Sequence, residues 1–127
     1  MMKILIIDDE RFLVENLAKY LKKKIPSEIR CVECAREALA LVRAESFDLI
    51  ICDLNISDQP DGELIRNIWQ VVPSQNFIVI SAHELPDDFK ENKNIKISAY
   101  FEKPFNISDF EKTIKKMESI SFSKADV

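Results

Sequence analysis

The sequence predicts an α/β fold in which a parallel, doubly wound sheet of five strands is covered by helices on both faces. Short apolar runs alternate with segments of helical periodicity along the chain. The strand–helix–strand spacing is too long for hairpins and favours right-handed crossovers between parallel strands. Several apolar runs end on polar residues, which places polar side chains along the edge where open α/β sheets bind ligands.

The third strand, Leu49–Asp53, is the strongest element of this prediction. An unbroken apolar run precedes Asp53 and suits a central strand that is buried on both faces. The other expected strands are Lys3–Ile7, Ile29–Cys34, Asn76–Ser81 and Ile97–Phe101. The second strand in chain order alternates apolar and polar residues, so we expect it near an edge of the sheet.

Five helical segments are expected between and after the strands. They are Arg11–Lys24, Ala35–Ala44, Glu63–Val72, a short and marginal helix within Glu84–Asn94, and Asp109–Ser119. The first is predicted to carry Phe12 and Leu17 on its apolar side. Ser108 and Glu111 match a capping box that would open the last helix. We expect residues 1–120 to form one domain and 121–127 a frayed tail.

Composition narrows the class of protein. The 127 residues are 46% hydrophobic and 31% charged, which is typical of one folded domain. A net charge of -4 provides no general attraction for nucleic acid or anionic membranes. We find no apolar run long enough for a signal-peptide core or a membrane span, so a cytoplasmic location is expected. Cys31 and Cys34 form an isolated C-x-x-C, which we interpret as buried thiols on opposite strand faces.

Polar residues that end or follow the strands should converge at one edge of the sheet. They are Asp8, Asp9, Asp53, Ser81 and Lys103. Clustered carboxylates repel one another unless they are neutralised, and Mg²⁺ with oxygen ligands does this. A hydroxyl and an ammonium could then bind phosphoryl oxygens. Each residue alone has a simpler interpretation, as a helix cap, a turn residue or a solvated lysine, but their joint occurrence favours a site.

Four motifs carry a resemblance to a known family. They are IIDDE (6–10), ICDLN (51–55), ISA (80–82) and YFEKPF (100–105). In this order and spacing, from Lys3 to Ser119, they resemble the CheY-like receiver domain, the response-regulator module of two-component signalling. The resemblance implies a flavodoxin-like (βα)5 three-layer sandwich with strand order 2-1-3-4-5.

The resemblance also implies a phosphoryl-transfer site with Mg²⁺ as its cofactor. Asp53 would be the phosphoacceptor, which attacks the phosphorus of a phosphohistidine on a partner kinase. Asp9 would be the main Mg²⁺ carboxylate, with Asp8 beside it and acting partly through water. The backbone carbonyl of Asn55 would be a further metal ligand.

The remaining motif residues would bind the phosphoryl group and report it. Ser81 and Lys103 would each contact a phosphoryl oxygen, and the Lys103–Pro104 bond is a candidate cis peptide. Tyr100 occupies the position of the switch aromatic, which turns inward when the Ser81 hydroxyl moves toward phosphate.

Two further positions are expected to tune the lifetime of the phosphorylated state. Asn55 and His83 each lie two residues past a site residue, where the family adjusts hydrolysis; His83 is otherwise an ordinary surface residue. The loop after Asp53 departs from the family pattern, because Ser57 stands at the usual proline position and Asp61-Gly62 comes one residue late. We therefore expect this loop to differ in shape.

The implied partners are a sensor histidine kinase or phosphotransfer protein, and a downstream effector protein or domain outside this chain. We expect no nucleic acid or membrane binding by this domain. Homodimerisation through the fourth helix, fifth strand and fifth helix is possible in this family, although the polar Glu84–Asn94 stretch argues against assuming it. Two alternatives stay open: a phosphatase of the haloacid-dehalogenase type, which would need an aspartate in place of Asn55, and an unphosphorylated interaction module.

Overall fold

Five strands alternate with five helices along the chain. The computed structural model describes residues 1–91 and 94–125, with side chains described up to residue 117. The elements are β1 (Met2–Ile7), α1 (Arg11–Lys24), β2 (Ser27–Val32), α2 (Ala35–Ala44), β3 (Leu49–Asp53), α3 (Glu63–Val71), β4 (Asn76–Ser81), α4 (Asp87–Glu91), β5 (Lys96–Glu102) and α5 (Ile107–Ala125). The predicted and observed bounds differ by at most one residue at either end of β1, α1, α2, β3, α3, β4 and β5. They differ by more for β2, α4 and α5.

The strands form one parallel sheet in the order β2-β1-β3-β4-β5. The predicted parallel, doubly wound architecture and strand order are therefore confirmed. All five residues of β3 are buried, as its apolar run indicated, because helices cover both faces of a central strand. β2 is an edge strand, also as predicted.

Two hydrophobic cores lie on opposite faces of the sheet. On one face α1 and α5 contribute Leu17, Leu21, Phe110 and Ile114. On the other face α2, α3 and α4 pack against the alternate strand residues, with Phe89 supplied by α4. This arrangement gives the three expected layers.

The exposed Phe12 contradicts one detail of the predicted α1. Its side chain is 83% exposed, whereas Val14, Leu17 and Leu21 are buried. These buried residues follow the i, i+3, i+7 spacing of one helical face, and Phe12 falls about 160° around the helix from them. Leu17 was predicted correctly, and Phe12 does not belong to the buried face.

The start and end of α5 also differ from the prediction. The Asn106 side chain accepts hydrogen bonds from the backbone N–H groups of Ser108, at 2.8 Å, and Asp109, at 3.4 Å. Asn106 is thus the N-cap, and the predicted capping box of Ser108 and Glu111 is wrong. The helix continues to Ala125, past the predicted end at Ser119, and residues 126–127 of the expected tail lie outside the described part of the chain.

The C-x-x-C cysteines are not the buried pair that was expected. Cys31 is exposed because β2 is an edge strand, and Cys34 is half-buried and follows the end of β2 at Val32. Cys52 is the buried thiol. Among the described residues, no helix is both long and apolar enough to cross a membrane.

Candidate functional site

The carboxyl ends of the strands bring four of the predicted site residues together. Asp8 directly follows β1, Asp53 ends β3, Ser81 ends β4 and Lys103 directly follows β5. Asp8 and Ser81 are fully buried, and Asp53 is 7% exposed. Parallel strands point their carboxyl ends in one direction, so residues far apart in sequence meet at this edge.

Lys103 is the centre of this group. Its Nζ lies 2.9 Å from Asp53 Oδ2, 3.0 Å from Asp8 Oδ2 and 3.2 Å from Glu10 Oε1. The backbone N–H of Lys103 donates to the Ser81 carbonyl at 2.7 Å, which fixes the start of the side chain. The Lys103–Pro104 bond is cis, as predicted.

Burial and the contacts between Lys103 and the carboxylates shift the pKa values of the cluster in opposite directions. Burial raises the pKa of Asp8 to about 6, although hydrogen bonds from the Glu10 backbone N–H and from Lys103 act to lower it. Burial acts to lower the pKa of Lys103, but its hydrogen bonds to Asp53 and Asp8 raise it above the ordinary value. Lys103 is therefore cationic at neutral pH, and Asp8 takes up a proton when the pH falls below about 6.

Asp53 is oriented by the loop that follows it. Its Oδ1 accepts a hydrogen bond from the Asn55 backbone N–H at 3.0 Å, which leaves Oδ2 to Lys103. The Asn55 side chain in turn accepts from the Asp61 N–H at 2.9 Å. Both Asp61, with φ 56°, and Gly62, with φ 79°, are left-handed, and this closes the loop back onto the site.

The carboxylates could hold a hard cation. One oxygen from each of Asp8, Glu10 and Asp53 lies within 4.8 Å of the others. Mg²⁺ prefers oxygen ligands and usually binds through one or two carboxylates together with water and phosphate oxygens, and this group offers enough carboxylates for that. The residues present therefore fit the predicted cofactor.

Asp9 is not brought into this cluster, although the resemblance implied it as the main ligand. It is exposed, and its Oδ2 accepts a hydrogen bond from the Ser57 hydroxyl at 2.7 Å. Glu10 occupies the cluster and was not predicted. Its position at the end of the IIDDE motif was the available signal.

Ser81, His83 and Tyr100 form one connected group. The Ser81 Oγ accepts from the His83 backbone N–H at 3.0 Å, and the Tyr100 hydroxyl donates to the His83 carbonyl. Partial burial, with Glu102 and Glu84 nearby, raises the pKa of Tyr100, so its hydroxyl remains a donor at neutral pH. The His83 side chain is exposed, as the surface interpretation expected.

The short α4 is attached to the loop after Asp53. An added Cβ on Gly62 would lie 2.3 Å from Cε2 of Phe89, so the Phe89 ring rests directly on the glycine. The Arg66 guanidinium lies 4.6 Å from the centre of the same ring, pairs with Asp88 at 2.7 Å and donates to the Asp61 carbonyl at 2.8 Å. None of these four contacts was predicted from the sequence.

The family model for the response regulator receiver domain matches residues 4–115. The chain belongs to this family. Receiver domains are the phosphoryl-accepting modules of two-component systems. A response regulator receiver protein of Anaeromyxobacter sp. (strain Fw109-5) is 32% identical over 104 residues, which are 82% of this chain and 43% of that protein. The chain spans about half the length of the first relatives it matches.

Other similar proteins are of nearly the same length as this receiver domain. Sporulation initiation phosphotransferase F of Bacillus subtilis (strain 168) is 25% identical over 114 residues, covering 90% of this chain and 91% of that protein. A CheY-like receiver domain from Methanospirillum hungatei JF-1 superposes with a TM-score of 0.85 at 23% identity, covering 98% of each chain.

One structural neighbour was solved with ligands. The response regulator protein TrrA of Thermotoga maritima, in complex with Mg²⁺-BeF, has a TM-score of 0.76 and 25% identity, over 91% of this chain and 98% of that one.

Proposed function

We propose that this receiver domain accepts a phosphoryl group on Asp53 from a phosphohistidine of a sensor kinase or phosphotransfer protein. An Asp53 oxygen attacks the phosphorus, a P–O bond forms as the P–N bond breaks, and the imidazole leaves. The observation that carries this proposal is the pairing of Asp53 with Lys103, at 2.9 Å, at the carboxyl end of a fully buried strand. A fixed cation beside the acceptor oxygen favours the negative charge of phosphoryl transfer.

Asp8, Glu10 and Asp53 would bind Mg²⁺, with Asp9 and the Asn55 carbonyl as further ligands from the same two loops. When bound, the ion neutralises phosphoryl oxygens and the crowded carboxylates. The three carboxylate oxygens within 4.8 Å of one another support this assignment. The likeness to TrrA, whose structure contains Mg²⁺-BeF, supports it independently.

Ser81 and Tyr100 would convert phosphorylation into a change of surface. The His83 backbone forms two hydrogen bonds: its N–H donates to the Ser81 hydroxyl, and its carbonyl accepts from the Tyr100 hydroxyl. A Ser81 hydroxyl that turns toward a phosphoryl oxygen releases the His83 N–H, so the Tyr100 contact on the same residue loosens. Tyr100 could then turn inward and alter the surface around β5.

Asn55 and His83 would set the lifetime of the phosphorylated state, because both lie close in sequence to site residues at the carboxyl ends of the strands. Asn55 donates its backbone N–H to Asp53, and His83 lies two residues past Ser81. Output would pass to an effector protein or domain outside this chain. Homodimerisation stays a prediction.

Phosphorylation is tested by intact-protein mass spectrometry after incubation with acetyl phosphate or phosphoramidate and Mg²⁺. We expect one phosphoryl adduct on the wild-type protein and no adduct in EDTA. Asp53→Asn removes the nucleophile and keeps the side-chain size, so it should show no adduct. An Asp53→Asn variant that is labelled as well as the wild type would refute the assignment of Asp53.

A second variant checks the role of Lys103. Lys103→Met keeps the length of the side chain but removes the cation that touches Asp53, so we expect adduct formation to slow by about two orders of magnitude. Lys96→Met, on an exposed residue at the start of β5, is the matched control and should react like the wild type. Steady release of phosphate from phosphoesters would instead point to the phosphatase alternative.

A further inference from the structure

Ser57 connects the loop after the acceptor strand to the acidic loop after β1. Its hydroxyl donates to Asp9 Oδ2 at 2.7 Å, across 48 residues of sequence. The carboxylates of Asp8, Glu10 and Asp53 form the candidate cation site, and Asp9 does not belong to this group. In this structure the Asp9 carboxylate is therefore bound to a hydroxyl and not turned into the cluster.

The segment that carries Ser57 is fixed on both sides. Ile56 is buried, at 1% exposure, and the Asp58 carboxylate accepts the Ala35 backbone N–H at the start of α2, at 3.1 Å from each oxygen. The Gln59 N–H also donates to the Ile56 carbonyl at 2.9 Å, which tightens the turn around Ser57. The hydroxyl is thus presented to Asp9 by an anchored turn.

We infer that Ser57 is a positioning residue that holds the Asp9 carboxylate outside the cation site until Mg²⁺ binds. This inference rests on the proposed function, because it takes Asp9 as a Mg²⁺ ligand. In the metal-free state, Lys103 forms ion pairs with the three clustered carboxylates. Mg²⁺ binding then has to break the Ser57–Asp9 hydrogen bond, so this contact lowers the affinity of the unphosphorylated protein for the ion.

The test is the Mg²⁺ dissociation constant of the unphosphorylated protein. The ion is titrated as MgCl₂ and followed by the NMR signal of the Asn55 backbone amide, which donates to Asp53. Removing a hydrogen bond that opposes binding should tighten Mg²⁺ binding by Ser57→Ala about two- to tenfold. Ser57→Thr keeps a hydroxyl and should bind like the wild type. Ser74→Ala, at an exposed serine past α3, is the remote control.

A merely structural role of Ser57 predicts a different pattern. Ser57→Ala would then lower the free energy of unfolding in EDTA and leave the Mg²⁺ affinity unchanged. Equal affinities, weaker binding by Ser57→Ala, or no Mg²⁺ binding by any variant would each overturn the inference.

The proposed function fails separately from this inference. The shift in affinity without an adduct on Asp53 would remove the phosphoacceptor assignment and leave the role of Ser57 standing. A phosphoryl adduct on every Ser57 variant, together with unchanged Mg²⁺ affinities, would remove the role of Ser57 and leave the phosphoacceptor assignment standing.

Discussion

Asp8 carries its charge in a fully buried position beside two other carboxylates. Burial disfavours the ionised form, which is why the pKa of this group rises from 3.8 to about 6. Lys103 offsets part of the repulsion through its contacts with Asp8 and Asp53. The ionised Asp8 therefore lowers the stability of the folded protein, and it supplies the clustered negative charge that the proposed cation site needs.

Replacing Asp8 should stabilise the metal-free protein at neutral pH. A pKa that is higher in the folded state means that stability is present below pH 3.8 and is lost as the pH rises through about 6. We expect Asp8→Asn to raise the free energy of unfolding by about 1–3 kcal/mol at pH 7.5. The gain should shrink toward zero near pH 4, measured by urea unfolding in EDTA. A constant gain across this range would contradict the buried charge as its cause.

Site residues at strand ends could be predicted from sequence, and those set by a distant loop could not. Asp8, Asp53 and Ser81 each end an apolar run, so their meeting follows from parallel strand topology. The direction in which Asp9 points depends on the Ser57 hydroxyl, which is 48 residues away. Glu10 was missed because three consecutive acidic residues give no sign of which two lie near Asp53.

At the scale of elements, α4 is short because little in its sequence can be buried. Of its five residues only Phe89 is buried. This ring packs on Gly62, the one glycine of the chain, and the Arg66 guanidinium also lies against it. The attachment of α4 thus depends on one aromatic ring and on the loop that follows Asp53.

Gly62→Ala should destabilise the protein through two separable effects. The left-handed backbone at φ 79° strains any residue with a Cβ, and the new methyl would meet the Phe89 ring. We expect a loss of about 2–4 kcal/mol in unfolding free energy. In the double variant Gly62→Ala/Phe89→Leu the smaller side chain relieves the clash, so the loss should be less than the sum of the single losses. Additivity within about 0.5 kcal/mol would show that the ring contact is not involved.

The bounds of α1, α2 and α3 were predicted closely, whereas the start of α5 was not. The buried residues of α3, namely Leu64, Ile65 and Ile68, follow a strong period that the sequence shows directly. The start of α5 offered several polar residues that could act as a cap. The structure shows that Asn106 is the residue that caps the helix, because its side chain accepts the Ser108 backbone N–H.

At the scale of the whole molecule, the site also connects the loop after the first strand with the loop after the last strand. Lys103 follows the last strand and pairs with Asp8, 95 residues earlier, just after the first strand. In the sheet β1 lies beside β3, β4 lies on the other side of β3, and β5 is the edge strand beyond β4, so the Lys103–Asp8 contact spans four strands at the carboxyl edge. Charge at the site is therefore coupled to global stability as well as to chemistry.

Mg²⁺ should accordingly stabilise the whole domain against heat. A ligand that binds only the folded state adds about 1.4 kcal/mol at ten times its dissociation constant. For a domain of 127 residues this corresponds to a rise in Tm of roughly 5 °C. Calorimetry in MgCl₂ and in NaCl of equal ionic strength separates binding from screening. Asp53→Asn, which removes one clustered carboxylate, should show a smaller rise. An equal rise in NaCl would mean that the carboxylates respond to ionic strength and do not form a specific cation site.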